Sequence, residues 1–337
     1  MRKIKILIIH TAFIGDIVLS TPLVHKIKDT YPDCKLSYLT TPAGESILRN
    51  NVYIDDVIVY DKKGIDKGLL GLFFVIKKLR KEKYDIVIVP HRYLRSTIIA
   101  RTTGAKDRRG YDIASGSFFY TQKIKYDRTK HEVEKLLSFI HEGPAQRYEI
   151  ELFPSDDDAR RTISLMKKYI NRKIIVIAPG SKWFTKQWPI SYFNQVIDHL
   201  KARKDVVIVI VGGREEKNLD IIKGYDIVDW RGETSLLELS ALLSKSTILL
   251  TNDSAPIHIG SAYADLKILA IFGPTVKEFG FFPWSKNSKV YETNSLSCRP
   301  CSIHGGSKCP KNDFKCMLNI HPDSIIKDIE SELDAKD

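Results

Sequence analysis

Three short stretches of the 337-residue chain gather side chains that do chemistry. The first, Asn252-Asp253-Ser254-Ala255-Pro256, follows the apolar run Ile248-Leu249-Leu250 and precedes apolar residues at helical spacing. A carboxylate and a hydroxyl at a strand's carboxyl end then meet the free N–H groups and positive dipole end of the next helix, where an anion is favoured. Pro256 suits that first turn because no N–H partner is needed there. Asp253 or Ser254 would equally serve as a plain N-cap.

The second stretch, Ala178-Pro179-Gly180-Ser181-Lys182, ends another run of strand residues. It is followed by Lys186-Gln187-Trp188-Pro189, with a lysine just ahead of the next helix. Two such strand ends, one with a small-residue turn and a lysine and one with a helix start, could cradle a diphosphate without metal. Neither a G-x-G-x-x-G nor a P-loop accompanies them. In the third stretch the strand Ile4–Ile9 runs into His10-Thr11 and then Gly15-Asp16. Asp16 is either an N-cap or a general base placed to take a proton from a substrate hydroxyl. His91-Arg92-Tyr93-Leu94-Arg95 and the basic residues 106–109, including Arg109, add guanidinium groups suited to carboxylates or phosphates. His258 lies on the helix after Asp253 and suits a structural hydrogen bond as well as a ligand contact.

Strands and helices alternate along the chain, which predicts parallel sheets covered on both faces. In the first half we expect strands at 4–9, 35–40, 56–60 and 85–90, with helices at 17–31, 44–50, 69–81 and 94–103. The second half starts over, with strands at 173–178, 205–211, 226–229, 248–251 and 267–272. Its helices are expected at 190–203, 216–222, 235–244 and 256–264, the third opening at the capping pattern Thr234-Ser235-x-x-Glu238. The acidic segment 154–158 and the basic helix to Arg172 separate the halves. This predicts two doubly wound α/β domains, residues 1–160 and 161–322, facing each other across a cleft, with ligands beyond the strands' carboxyl ends. Residues 323–337 are expected as a helix packing back toward the first domain.

Hydrophobic residues make up 43% of the chain, sufficient for two cores. No apolar run approaches the roughly 18–20 residues of a membrane span. The opening MRKIKILIIHTAFIGD has the basic start of a signal peptide, but its apolar run is short and ends in Gly-Asp, so a core strand and a cytoplasmic protein are expected. The net charge of +12 is uneven: residues 77–135 hold 16 basic and 7 acidic side chains. That segment is either a solvated lysine-rich surface or a face for a polyanion. With no zinc finger, RNA-binding signature or helix-turn-helix pattern, nucleic acid is not expected as a partner.

Four of the five cysteines, Cys298, Cys301, Cys309 and Cys316, fall within nineteen residues. In a reducing compartment this spacing fits a structural zinc or iron site, with free thiols and disulfides as the alternatives.

Taken together, I-G-D-I-V-x-S-T-P after the first strand, P-G-S with K-x-W-P, N-D-S-A-P-I-H-I-G-S-A and the closing C-x2-C-x7-C-x6-C-M resemble the ADP-heptose:lipopolysaccharide heptosyltransferases, glycosyltransferase family 9. The resemblance runs from about Lys5 to Ile326. It implies the GT-B architecture of two Rossmann-like domains, an acceptor domain first and a nucleotide-sugar domain second. It implies an inverting transfer of heptose from ADP-L-glycero-D-manno-heptose to the lipopolysaccharide inner core, with no cofactor for catalysis, at the cytoplasmic face of the inner membrane.

Under this resemblance Asp16 matches the catalytic base and Lys186 the lysine on the donor diphosphate. Ser181, Lys182, Thr234, Asp253, Ser254, Ala255 and Pro256 fall at donor contacts. Thr11, Arg92, Arg95 and Arg109 are expected on the acceptor side. Two departures stand out: Ala255 replaces the usual glycine, and Lys182 replaces a small polar residue. The alternatives are another nucleotide sugar or a protein or other glycan as acceptor, a nucleotide-sugar epimerase, or a non-enzymatic polyanion-binding protein.

Overall fold

The computed structural model describes residues 2–144 and 146–335. Two compact units, Met1–Phe153 and Pro154–Asp337, divide it just ahead of a helix that the sequence boundary at 160/161 would have cut in two.

The first unit runs β1 (Lys5–Ile9), α1 (Ile14–Leu19), α2 (Thr21–Thr30), β2 (Lys35–Thr40), α3 (Pro42–Leu48), β3 (Asp56–Val59), α4 (Gly68–Glu82), β4 (Ile86–Val89), α5 (Leu94–Thr102), β5 (Asp107–Tyr111), β6 (Gln122–Ile124) and α6 (Glu132–Leu137). Its six strands are all parallel in the order β3-β2-β1-β4-β5-β6. Ile6–Ile9 and Val87–Val89 are fully buried, as continuous apolar strands must be when helices cover both faces.

The second unit repeats the plan: α7 (Asp156–Lys168), β7 (Lys173–Ala178), α8 (Ile190–Leu200), β8 (Val206–Ile210), β9 (Ile227–Asp229), α9 (Leu236–Leu243), β10 (Ile248–Asn252), α10 (Ala255–Gly260), β11 (Lys267–Phe272), β12 (Ser288–Glu292), α11 (Lys315–Leu318) and α12 (Pro322–Asp334). The order β12-β11-β10-β7-β8-β9 is the same winding as in the first sheet. In each unit the winding reverses at one strand pair, β1/β4 or β7/β10, and a crevice opens beyond that point.

Four expectations give way to the structure. The predicted helix 17–31 is two helices broken at Ser20, because Pro22 enters the first turn of α2 and cannot continue the preceding ladder. The predicted helix 216–222 shrinks to a 3₁₀ turn, Arg214–Asn218. Strands β5, β6 and β12 were not expected; with sequences DRRGY, QKI and SKVYE, they sit toward the sheets' outer positions, where polar residues are tolerated. The C-terminal helix belongs to the second unit. Ile325, Ile329 and Leu333 of α12 join Phe193, Val196 and Leu200 of α8 in that unit's core. The helix expected to pack back toward the first domain thus buries its apolar side chains in the second unit's own core; residues 336–337 of that stretch lie outside the described ones.

We expect Ile329→Ala to lower stability by about 2–5 kcal/mol, since the fully buried side chain leaves a cavity between α8 and α12. Chemical denaturation measures this, and a loss within experimental error would remove α12 from the core.

Candidate functional site

The carboxyl end of β1 delivers Asp16 through a tight turn. Phe13, in extended conformation, precedes α1, and its N–H donates to the Asp16 carboxylate at 3.2 Å. Phe13, not Asp16, is the N-cap; Asp16 is the third helical residue and closes the reciprocal half of a capping box, but its environment does more. Burial and the negative charge of Glu132 outweigh that hydrogen bond and push the carboxyl up to about 7. A carboxylate poised there exchanges protons readily at neutral pH.

Glu132, on α6, is the residue that sequence reasoning missed. It is buried and pairs with the equally buried Lys135 at 2.7 Å, one turn along the same helix. The run EVEKLL reads as an ordinary amphipathic helix, so nothing local marks this pair; only the fold carries α6 to α2 and the end of β1. Lys135 and Arg92 both lie over the ring of Tyr126, at 4.8 and 5.0 Å.

Two histidines line the same strand ends. His10, after β1, shares a hydrogen bond with the Tyr38 hydroxyl at 3.1 Å, and Tyr38 in turn reaches Ser20 at 2.7 Å. His10 stacks on His91, which follows β4, with ring centroids 5.6 Å apart. Burial and then the charge of Lys62 lower His91 to about 3; burial and then His91 lower His10. Both imidazoles are neutral at physiological pH. The Tyr93 N–H points to His91 Nδ1 at 3.4 Å, which places the proton on Nε2, a buried atom without a partner among the described residues. Lys62 donates to the Thr11 carbonyl at 3.0 Å, and Arg92 and Arg95 stay exposed. Arg109 is different. It lies in β5, 4% exposed, with its guanidinium on Asp107 at 2.9 Å and on the Phe139 carbonyl at 2.8 Å. It ties β5 to the segment after α6 and is withdrawn from the acceptor set.

In the second unit Asn252, the last residue of β10, ties the two strand ends together. Its amide donates to the Pro179 carbonyl at 2.7 Å and accepts from the Trp188 N–H at 3.0 Å. Trp188 is itself buried, its indole N–H on the Ile320 carbonyl at 2.9 Å. These bonds hold a 3₁₀ turn, Phe184–Lys186, so that Lys186 Nζ meets Asp253 at 2.5 Å. Thr275 donates to the same Asp253 oxygen at 2.6 Å. The polar cluster at the end of β10 is thus a buried ion pair at a helix start rather than a simple cap. Ser254 occupies the N-cap position, and Ala255 and Pro256 begin α10. Ser181 is buried nearby in sequence and Lys182 is exposed over Trp183. The capping box at α9 uses Ser235 and Glu238, leaving Thr234 just ahead of it.

Glu216 also escaped the sequence reading. Its carboxylate accepts from the Gly213 N–H at 2.8 Å and packs so close to Gly180 and Gly212 that a Cβ on either would collide with it. The glycines after β7 and β8 were the available signal.

The four clustered cysteines line one small pocket with Pro274, Arg299, Pro310, Lys311 and Asp313, and none forms a disulfide. Burial and then the neighbouring thiols push Cys316 up to about 11. Burial opposes ionisation of Cys309, yet the backbone N–H groups of Phe314, Lys311, Asp313 and Asn312 lower it. Among the described residues no three His, Cys, Asp or Glu side chains gather closely enough to hold a metal ion. The loop also abuts the lysine turn: Gly306 and Thr185 exchange hydrogen bonds at 2.7 and 3.0 Å, and Phe314 stacks on Phe184.

A sequence profile described as "Glycosyltransferase family 9 (heptosyltransferase)" matches residues 73–309. The chain is 24% identical to lipooligosaccharide heptosyltransferase 2 of Campylobacter jejuni, over 98% of either chain. The crystal structure of a family 9 glycosyl transferase from Veillonella parvula superposes with a TM-score of 0.85 at 22% identity, covering 99% of this chain and 98% of that one. The E. coli ADP-heptose lps heptosyltransferase II gives a TM-score of 0.78 at 18% identity, covering 99% of each chain. The fold is the GT-B fold of these enzymes.

Because the fold raises the Asp16 pKa, the native state binds that proton more tightly than the unfolded chain. Asp16 therefore costs stability as pH rises from about 4 through about 7. Asp16→Asn should be more stable than wild type at pH 8, by roughly 4 kcal/mol, and nearly equal to it at pH 4. Denaturation curves at both values decide it; a constant difference would mean the carboxyl is unperturbed.

Proposed function

Because the chain belongs to glycosyltransferase family 9, we propose that this enzyme moves a heptose from ADP-L-glycero-D-manno-heptose to the inner core of lipopolysaccharide, with inversion at the anomeric carbon. The observation that carries the chemistry is the Asp16 carboxyl at the end of β1, half-buried and raised to about 7. Support comes from relatives whose names carry ADP-heptose, lps and lipooligosaccharide.

In this reading the first unit holds the acceptor and the second the donor. Asp16 takes the proton from the acceptor hydroxyl as that oxygen attacks the anomeric carbon. The bond to the diphosphate breaks on the opposite face, and ADP leaves with the electron pair. Lys186 meets the charge that develops on the departing phosphate, together with the N–H groups at Ser254, Ala255 and the start of α10. Asp253 holds Lys186 in place until the diphosphate arrives. Ser181, Lys182 and Thr234 complete the donor contacts. Glu216, after the second strand of its sheet, stands where an acid accepts hydrogen bonds from a ribose in a nucleotide-binding Rossmann unit. Thr11, Arg92 and Arg95 face an acceptor that carries carboxylates and phosphates. The enzyme works at the cytoplasmic membrane face, where such an acceptor is anchored; no helix among the described residues is long and apolar enough to cross a membrane.

The chemistry itself needs no cofactor in this reading. Cys298, Cys301, Cys309 and Cys316 share one pocket but do not gather closely enough in this structure to hold an ion, so a structural zinc or iron would have to draw the four thiols together; the N–H groups around Cys309 favour a thiolate there. Such an ion would crosslink a loop poor in apolar residues and firm the turn that carries Lys186. Elemental analysis of the purified protein tests it, with about one ion per chain expected and its removal weakening ADP binding.

Asp16→Asn should lower kcat by about 10²-fold or more while ADP still binds. Lys186→Ala should weaken ADP and destabilise the fold by about 3 kcal/mol, because it strands Asp253 in a buried site. Adding Asp253→Ala should restore much of the stability but not the ADP affinity. ADP, ahead of UDP, GDP and CMP, should raise the melting temperature, a ligand at ~100 times its Kd adding ~2.7 kcal/mol. Preference for another nucleotide, or full turnover by Asp16→Asn, would sink this reading.

A further inference from the structure

Helix α4 presents an outward face that its own unit leaves uncovered. Its buried side is a single narrow stripe, Gly71, Val75 and Leu79, at i, i+4 and i+8. The opposite side of its first two turns carries Leu69, Leu70, Phe73 and Phe74, all exposed; Leu69 is 84% exposed and Ile65, in the preceding turn, 92%. Single exposed apolar side chains are ordinary, but five adjoining ones on one helix and its lead-in make a patch. Leu94 and Ile98, exposed on α5, which packs beside α4, extend it.

The same outward face turns basic along its length. Lys77, Lys78, Arg80 and Lys81 are exposed on the last two turns, and Lys63 and Lys67 flank the start. Between residues 62 and 83 eight lysines and arginines stand against only Asp66 and Glu82. Glu82 is already paired with the Lys5 ammonium at 3.1 Å, which leaves Asp66 as the acid facing the eight cations.

An apolar band bordered by cations is the pattern of a helix that lies in the plane of an anionic bilayer. A second copy of this chain fits poorly, because it would bring the same basic face and a further net charge of +12. We propose that α4 docks this protein on a bilayer containing anionic phospholipid. Leu69, Leu70, Phe73 and Phe74 enter the boundary between headgroups and acyl chains, while Lys77, Lys78 and Lys81 meet the lipid phosphates. The proposal builds on the reading of a membrane-anchored acceptor, since docking α4 would bring the acceptor-binding unit to the surface where that acceptor resides.

Sedimentation of the full-length protein with vesicles tests it directly. Wild type should pellet with phosphatidylcholine vesicles that contain phosphatidylglycerol and much less with phosphatidylcholine alone, and added salt should release it. Phe73→Glu with Phe74→Glu should reduce binding at least about tenfold, with little loss of fold stability because both rings are exposed. Lys77→Gln with Lys78→Gln should cost about tenfold or more through the charge alone. Transfer to a detergent-free, delipidated acceptor should be unchanged in both variants. Equal vesicle binding by wild type and the glutamate variant would overturn the proposal. So would a wild-type dimer that the glutamates convert to a monomer without any vesicle binding, which would give the face to a second copy. Wild type that binds vesicles but transfers no heptose would overturn the function proposed above and leave the docking surface standing.

Discussion

Everything at the two strand-end sites depends on where each parallel sheet reverses its winding. In a parallel sheet all strands end on the same edge, so every loop that leaves a carboxyl end arrives on one side. At β1/β4 and β7/β10 the connections part to opposite faces, and the space between them is left for side chains from the loops. The residues that fill it are costly to bury, namely Asp16, His10 and His91 in one unit, and Lys186 and Asp253 in the other. Their presence there is tolerated because the apolar strands beneath are fully buried and rigid.

The two sites manage buried charge in opposite ways. In the second unit Lys186 and Asp253 neutralise each other, with Thr275 and the Asn252 bridges fixing the geometry. A phosphate entering that pair would compete for a lysine already desolvated and aimed, so little reorganisation is needed. In the first unit the charge that bears on Asp16 is a second carboxylate. Glu132 works against its ionisation, while Glu132 itself pairs with Lys135. The consequence is a carboxyl that holds or releases a proton near neutrality, which is what a base for a sugar hydroxyl requires.

The loop with the cysteines connects to this logic through contacts rather than charge. Arg299, between Cys298 and Cys301, bonds to the carbonyls of Gly273, Thr275 and Thr293 at the ends of β11 and β12. Farther along, Gly306 and Phe314 brace the turn of Lys186. A segment almost without apolar residues thereby stays ordered and supports a residue distant in sequence.

The sequence by itself determined the alternation of strands and helices, the repetition of the plan in two halves, and the stretches in which Asp16, Lys186 and Asp253 lie. Continuous apolar strands and punctuating Gly, Pro and Asp are local signals, carried by neighbours within a few residues. It did not reveal β5, β6 and β12, whose polar residues gain their strand geometry from pairing with another strand. Nor did it reveal that Arg109 is held by Asp107 and Phe139, that α12 closes the second core, or that burial and, from more than a hundred residues away, Glu132 together raise the Asp16 carboxyl. Each of these is a contact between segments far apart in the chain. Hydrogen bonding, burial and charge act through space, so only the tertiary structure could decide them.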